Sequence, residues 1–291
     1  MPRTPFDEYS KDVAVDALRP FGKAEADARI TAEAQYADLR FMRGARRRGA
    51  YDDFLTRALQ PRMLYEFAHD PPDVATVASW LVKRDVWFLG LRRAARREKV
   101  PLPKLPPTLV ALSAGDPVEA RRAYRLIEPA APGVYEGDPS GTFRLVVISQ
   151  LPETPDTLRV RTMGAGATLT QAIREIDALP PGAELRRMLM PRVATLRVAL
   201  EGDPSPQAQE FVMEAEKIYK KRLAQQRREG RQEGRQEGLR AAIAQVCEAR
   251  GLRLTATQRA ALDAKRDDAT LGRWLARATT AADARDVFAA E

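Results

Sequence analysis

Tyr36-Ala37-Asp38-Leu39-Arg40-Phe41-Met42 and Met63-Leu64-Tyr65-Glu66-Phe67 are the stretches on which the fold turns. Both alternate with period two, which predicts strands. Ala37, Leu39 and Phe41 share one face of the first, and Met63, Tyr65 and Phe67 one face of the second. Asp38, Arg40 and Glu66 then fall on the opposite faces. Two carboxylates 28 residues apart on successive strands can stand side by side at a sheet edge. Oxygen donors so placed suit a hard divalent cation, Mg²⁺ or Mn²⁺. Such an ion activates water and bears the charge that develops on a phosphodiester during hydrolysis. Strand carboxylates are equally the ordinary solvated side of a half-buried sheet, so the pattern alone leaves both meanings open.

Toward the N-terminus, Thr4-Pro5-Phe6-Asp7 combines a capping hydroxyl, a first-turn proline and an acid three residues on. It predicts a helix to about Leu18, with Phe6, Tyr9, Val13 and Ala17 at helical spacing. Residues 23–31 read as a weaker strand and 51–59 as a short helix. After Glu66, Asp70-Pro71-Pro72-Asp73 stops the strand and opens a long helix whose Val77, Leu81, Phe88, Leu91 and Ala95 face a core, beside Trp80 and Trp87. His69, three residues past Glu66, is near enough to join the same site, but a lone histidine is more often a surface or capping residue. Pro101–Pro107 leads into the apolar run Thr108–Ser113, a strand of the kind buried inside a sheet. Phe143–Ser149 reads as another, and Thr157–Met163 as one more. Helices follow over 168–178 and 183–200. Gly164-Ala165-Gly166 reads as a tight turn, since it lacks the third glycine of a dinucleotide loop.

From Gln207 onward no strand signal appears. Arg227-Arg228-Glu229-Gly230, Arg231-Gln232-Glu233-Gly234 and Arg235-Gln236-Glu237-Gly238 repeat one tetrad three times. Each glycine costs a helix up to about 1 kcal/mol, which Glu/Arg pairs offset by a few tenths, so a marginal, exposed rod is expected. Residues 239–250, closed by Gly251, with 255–264 and 269–278 read as a small helical domain in which Cys247 is a buried apolar position. The expected organisation is an α/β domain over 1–206, a helical linker over 207–238 and an all-helical tail over 239–291.

The 291 residues are 44% apolar and 30% charged, a globular composition with room for about two domains. One cysteine and one histidine make a Cys/His zinc centre and Ser-His or Cys-His hydrolysis poor expectations. No run of about 18 uncharged apolar residues occurs, and the first twenty residues are charged, so a soluble cytoplasmic protein with no membrane partner is expected. The net charge is +8, and 39 of the 48 basic residues are arginine, whose planar fork grips phosphate. A GC-rich bacterial genome writes the same bias. The clusters Arg43, Arg46, Arg47, Arg48 and Arg92, Arg93, Arg96, Arg97 flank the two acids and are the candidate DNA-backbone contacts.

The order helix, strand, strand with acid, strand with acid, long helix, strand is that of the PD-(D/E)XK nuclease core. The sequence resembles its bacterial Rpn-like branch, described as recombination-promoting nucleases or putative transposases. The resemblance rests on Pro5-Phe6-Asp7 with Lys11, on Tyr36 to Phe41, and on Leu64-Tyr65-Glu66-Phe67 leading to Pro71-Pro72. It continues through Val146 to Leu158, Met163-Gly164-Ala165-Gly166 and the Arg-Gln-Glu-Gly tail, covering about residues 4–240. It implies a mixed sheet flanked by helices, with Asp38 and Glu66 as metal ligands and a lysine that orients the attacking water. Ala37 stands where a proline is usual, and Ala68 where that lysine is expected, so Lys11 and Lys83 are the candidate substitutes. The resemblance implies a Mg²⁺-dependent DNA endonuclease connected with recombination or mobile elements. The alternatives are a degenerate nuclease fold that binds nucleic acid or protein, and an assembly protein that forms homo-oligomers through its helical tail.

Overall fold

A computed structural model of the chain describes residues 4–29, 36–45, 52–57, 59–128, 131–137 and 140–289. The elements are α1 (Pro5–Leu18), β1 (Gly22–Arg29), β2 (Tyr36–Arg43), α2 (Phe54–Arg57), β3 (Arg62–Ala68), α3 (Val74–Glu98), β4 (Thr108–Ser113), α4 (Val118–Ala123), β5 (Val134–Glu136) and β6 (Phe143–Val147). They continue as α5 (Leu158–Arg161), α6 (Gly166–Ala178), α7 (Glu184–Ala199), α8 (Pro206–Ala249), α9 (Ala256–Ala264), α10 (Asp268–Thr280) and α11 (Ala284–Phe288). The chain divides into two compact units, Met1–Ile218 and Tyr219–Glu291. No helix among the described residues is long and apolar enough to cross a membrane.

The first unit is a mixed α/β structure around one six-stranded sheet, in the order β1-β2-β3-β4-β6-β5. β1, β2 and β3 form an antiparallel meander, β3, β4 and β6 run parallel, and β5 closes the far edge antiparallel to β6. The parallel step from β3 to β4 requires a crossover, and α3 supplies it. Side chains of the central strands alternate between two cores. Leu39, Phe41, Met63, Tyr65, Val110 and Val146 pack on one face with α1, α6 and α7. Leu64, Leu109, Ala111 and Leu145 pack on the other with Val77, Trp80 and Trp87 of α3.

Local chemistry explains the elements around the acids. In α1 the Thr4 hydroxyl accepts the Asp7 N–H at 3.2 Å and the Asp7 carboxylate accepts the Thr4 N–H at 3.1 Å, a reciprocal cap ahead of the buried stripe Phe6, Tyr9, Val13, Ala17. Asp73 caps α3 by accepting the Thr76 N–H at 2.7 Å. Gly22 starts β1 where the chains nearly touch, since a Cβ there would lie 2.2 Å from the Met42 carbonyl oxygen.

Three expectations are corrected. Glu66 is not at a sheet edge, because β4 pairs along the other side of β3, and the residue is buried in mid-sheet. Ala37 belongs to the core on the α3 side, while Leu39 and Phe41 belong to the other. Thr157–Met163, expected as a strand, is helical over Leu158–Arg161. Arg159 and Arg161 are buried like their apolar neighbours, because Arg159 pairs with buried Asp53 at 2.9 Å and Arg161 with Glu175 at 2.6 Å. The short α4 and β5 were not anticipated. Of the weaker strand expected over 23–31, Ile30 and Thr31 lie outside the described residues.

The second unit is helical. Ile243, Cys247, Leu262, Leu271, Ala278 and Val287 form its buried core. Gly251 takes φ +69°, the left-handed conformation that closes a helix end. The Arg-Gln-Glu-Gly tetrads lie within α8, a 44-residue helix that contains the division between the units.

Candidate functional site

β2 and β3 pair with Leu39 opposite Tyr65, so their next positions toward the end of β3 bring Asp38 and Glu66 together. The ladder gives way there: the Asp38 carboxylate reaches across and accepts the Phe67 N–H at 2.9 Å. This bond fixes Asp38 beside Glu66. Glu66 is 1% exposed, on the face of β3 that α3 covers. From α3 Lys83 lays its ammonium on the carboxylate, 3.1 Å from Oε1 and 3.0 Å from Oε2. On the other flank Lys11 of α1 is also buried. Its Nζ lies 3.6 Å from Asp38, 3.1 Å from Asp27 and 3.2 Å from Glu8. Asp27 reaches this position with φ +49°, a left-handed backbone inside β1.

The electrostatics follow from burial and pairing. Removal from water and then the Asp38 charge push the Glu66 carboxyl up to about 8, against the opposing pull of Lys83. Burial works against the Lys11 charge, yet Asp38 and the hydrogen bonds to Asp27 and Glu8 outweigh it and raise its pKa.

The structure thus brings together Asp38, Glu66, Lys11 and Lys83. The other candidates do not join them. Arg43 stands five residues along β2 from Asp38, about 17 Å at strand rise, and gives its guanidinium to the Leu59 carbonyl at 3.1 Å. Arg46, Arg47 and Arg48 lie outside the described residues. Arg92 rests over the Phe88 ring at 5.6 Å, while Arg93, Arg96 and Arg97 are exposed on the last turns of α3. They begin ten residues beyond Lys83, about 15 Å along the helix. His69 stacks on Phe6 with ring centroids 4.2 Å apart and shares a 3.0 Å hydrogen bond with Gln207. Sequence reasoning passed over Asp27 and Glu8. Their signal was the buried Lys11 between them, invisible without the β1–α1 packing.

Two carboxylates at one point suit a divalent cation that keeps several waters, as Mg²⁺ does. Among the described residues no group of three or more His, Cys, Asp or Glu is arranged to enclose a metal. No protein-family model, curated protein or solved structure matches the chain.

Proposed function

We propose that the first unit is a Mg²⁺-dependent DNA endonuclease of the PD-(D/E)XK type, of the Rpn-like kind connected with recombination or mobile elements. The observation that carries this reading is the contact of Lys83 with Glu66 beside Asp38. It supplies from a helix the cation that Ala68 cannot supply from the strand. The order of α1, three antiparallel strands, crossover helix and parallel strand supports it. Asp38 and Glu66 hold the ion, which when bound lowers the pKa of its water and offsets charge on the phosphate. Lys83 holds the attacking water in line and shields the negative charge gathering there. Lys11 anchors Asp38 from the far side. Arg93, Arg96 and Arg97 contact DNA phosphates along the same helix.

A second reading rests on an equally specific observation. Both Glu66 oxygens are taken by Lys83, while Asp38 serves Phe67 and faces Lys11. A carboxylate pair saturated by lysines suits a degenerate nuclease fold that only binds nucleic acid or protein. Plasmid nicking with Mg²⁺ or Mn²⁺ separates the two. The enzyme nicks, Asp38→Asn and Glu66→Gln abolish nicking, and Lys83→Met slows it about 10²-fold or more. A binder instead gives a salt-sensitive gel shift that survives all three substitutions and no nicking.

A further inference from the structure

On the face of the sheet away from α3, a cavity of about 340 Å³ lies between α2 and β5 over the strands β3, β4 and β6. Its floor is apolar, formed by Met63, Val110, Leu112 and Val146. Two residues of its wall carry donors with a weak partner or none among the described residues. Tyr65 is 1% exposed, and among the described residues its hydroxyl meets the Met63 sulfur, at 3.5 Å, a weak acceptor. Arg144 gives one terminal nitrogen to Glu136 at 3.0 Å, but its Nε is buried with no partner among the described residues. Arg144 and, with opposite sign, Asp53 are close enough to act on the Tyr65 hydroxyl electrostatically. Buried donors left unmade are costly, and ligand pockets of this size are typically apolar with a few converging polar groups.

The lining selects the ligand class. The unfilled groups are donors, one of them cationic, and the carboxylate at the wall, Glu136, is already engaged. We infer that this cavity binds a small amphipathic monocarboxylate, its hydrocarbon part over the apolar floor and its carboxylate toward Arg144 and Tyr65 on the wall. An aliphatic acid and an arylalkanoic acid share that chemistry. The site is remote from Asp38 and Glu66 in its lining and stands whether or not the chain cuts DNA.

Calorimetric titration and thermal unfolding of the full chain with octanoate, 3-phenylpropionate and 1-octanol test it. At least one carboxylate binds and raises the unfolding midpoint, and 1-octanol binds about tenfold or more weakly, because it lacks the charge Arg144 takes. The stronger of the two acids identifies the source. Arg144→Met reduces carboxylate binding to the level of the alcohol, and Tyr65→Phe weakens it several-fold. Should Arg144→Met fail to fold by circular dichroism, the acid-to-alcohol ratio in the wild type and the Tyr65→Phe variant carry the test. No binding of either acid, equal binding of acid and alcohol, or undiminished binding in folded Arg144→Met overturns the inference.

Discussion

Glu66 combines near-complete burial with neighbours of opposite sign, and the pH dependence of stability follows from that combination. Its carboxyl titrates near 8 in the folded chain and near the usual 4.5 when unfolded. The folded state therefore holds the extra proton between these values. The stabilisation from protonated Glu66 is complete below about 4.5 and is lost as pH rises through about 8. Glu66→Gln keeps the shape and removes the titration. Thermal unfolding from pH 5 to 9 is expected to show the variant above the wild type at pH 9 by several degrees, at about 2–4 °C per kcal/mol for this size. Parallel curves for the two proteins contradict the assignment. Arg159 and Asp53 are a buried pair of another kind. Arg159→Met strands the Asp53 charge and is expected to cost about 3–5 kcal/mol in urea unfolding, with part of the loss recovered by adding Asp53→Ala. A loss under about 1 kcal/mol contradicts a stabilising pair.

Among the elements, strands were legible where one face meets a core and the other bears charge, as in β2 with Leu39, Phe41, Asp38 and Arg40. The rule does not apply at Thr157–Met163, expected as a strand but helical over Leu158–Arg161, where Arg159 and Arg161 are buried through ion pairs with Asp53 and Glu175. It gave no hint of β5, whose three residues are too few to show a period. The tetrads of α8 hold a helix despite a glycine every fourth residue. A Cβ at Gly230, Gly234 or Gly238 meets no atom within 4 Å. Replacing all three with alanine is therefore expected to stabilise this stretch by up to about 1 kcal/mol per site, read as slower amide exchange over residues 225–240. Unchanged exchange means that glycine does not set its stability.

For the whole molecule, the adjacency of Asp38 and Glu66 was readable because a meander pairs successive strands and each acid sat opposite its strand's apolar positions. The depth of Glu66 was not, since it depends on β4 joining β3, a contact between positions more than 40 residues apart. Nor was the choice among the lysines. Lys83 reaches Glu66 only because α3 doubles back over the sheet, while Lys11 is absorbed by Glu8, Asp27 and Asp38. The most direct test is titration of the intact chain with Mg²⁺ and Mn²⁺ at pH 7 in buffers of different ionisation enthalpy. One ion per chain, with nearly one proton released from Glu66 and uptake lost in Asp38→Asn and Glu66→Gln, is the expected result. No uptake, or uptake indifferent to both substitutions, contradicts a cation held jointly by these two carboxylates.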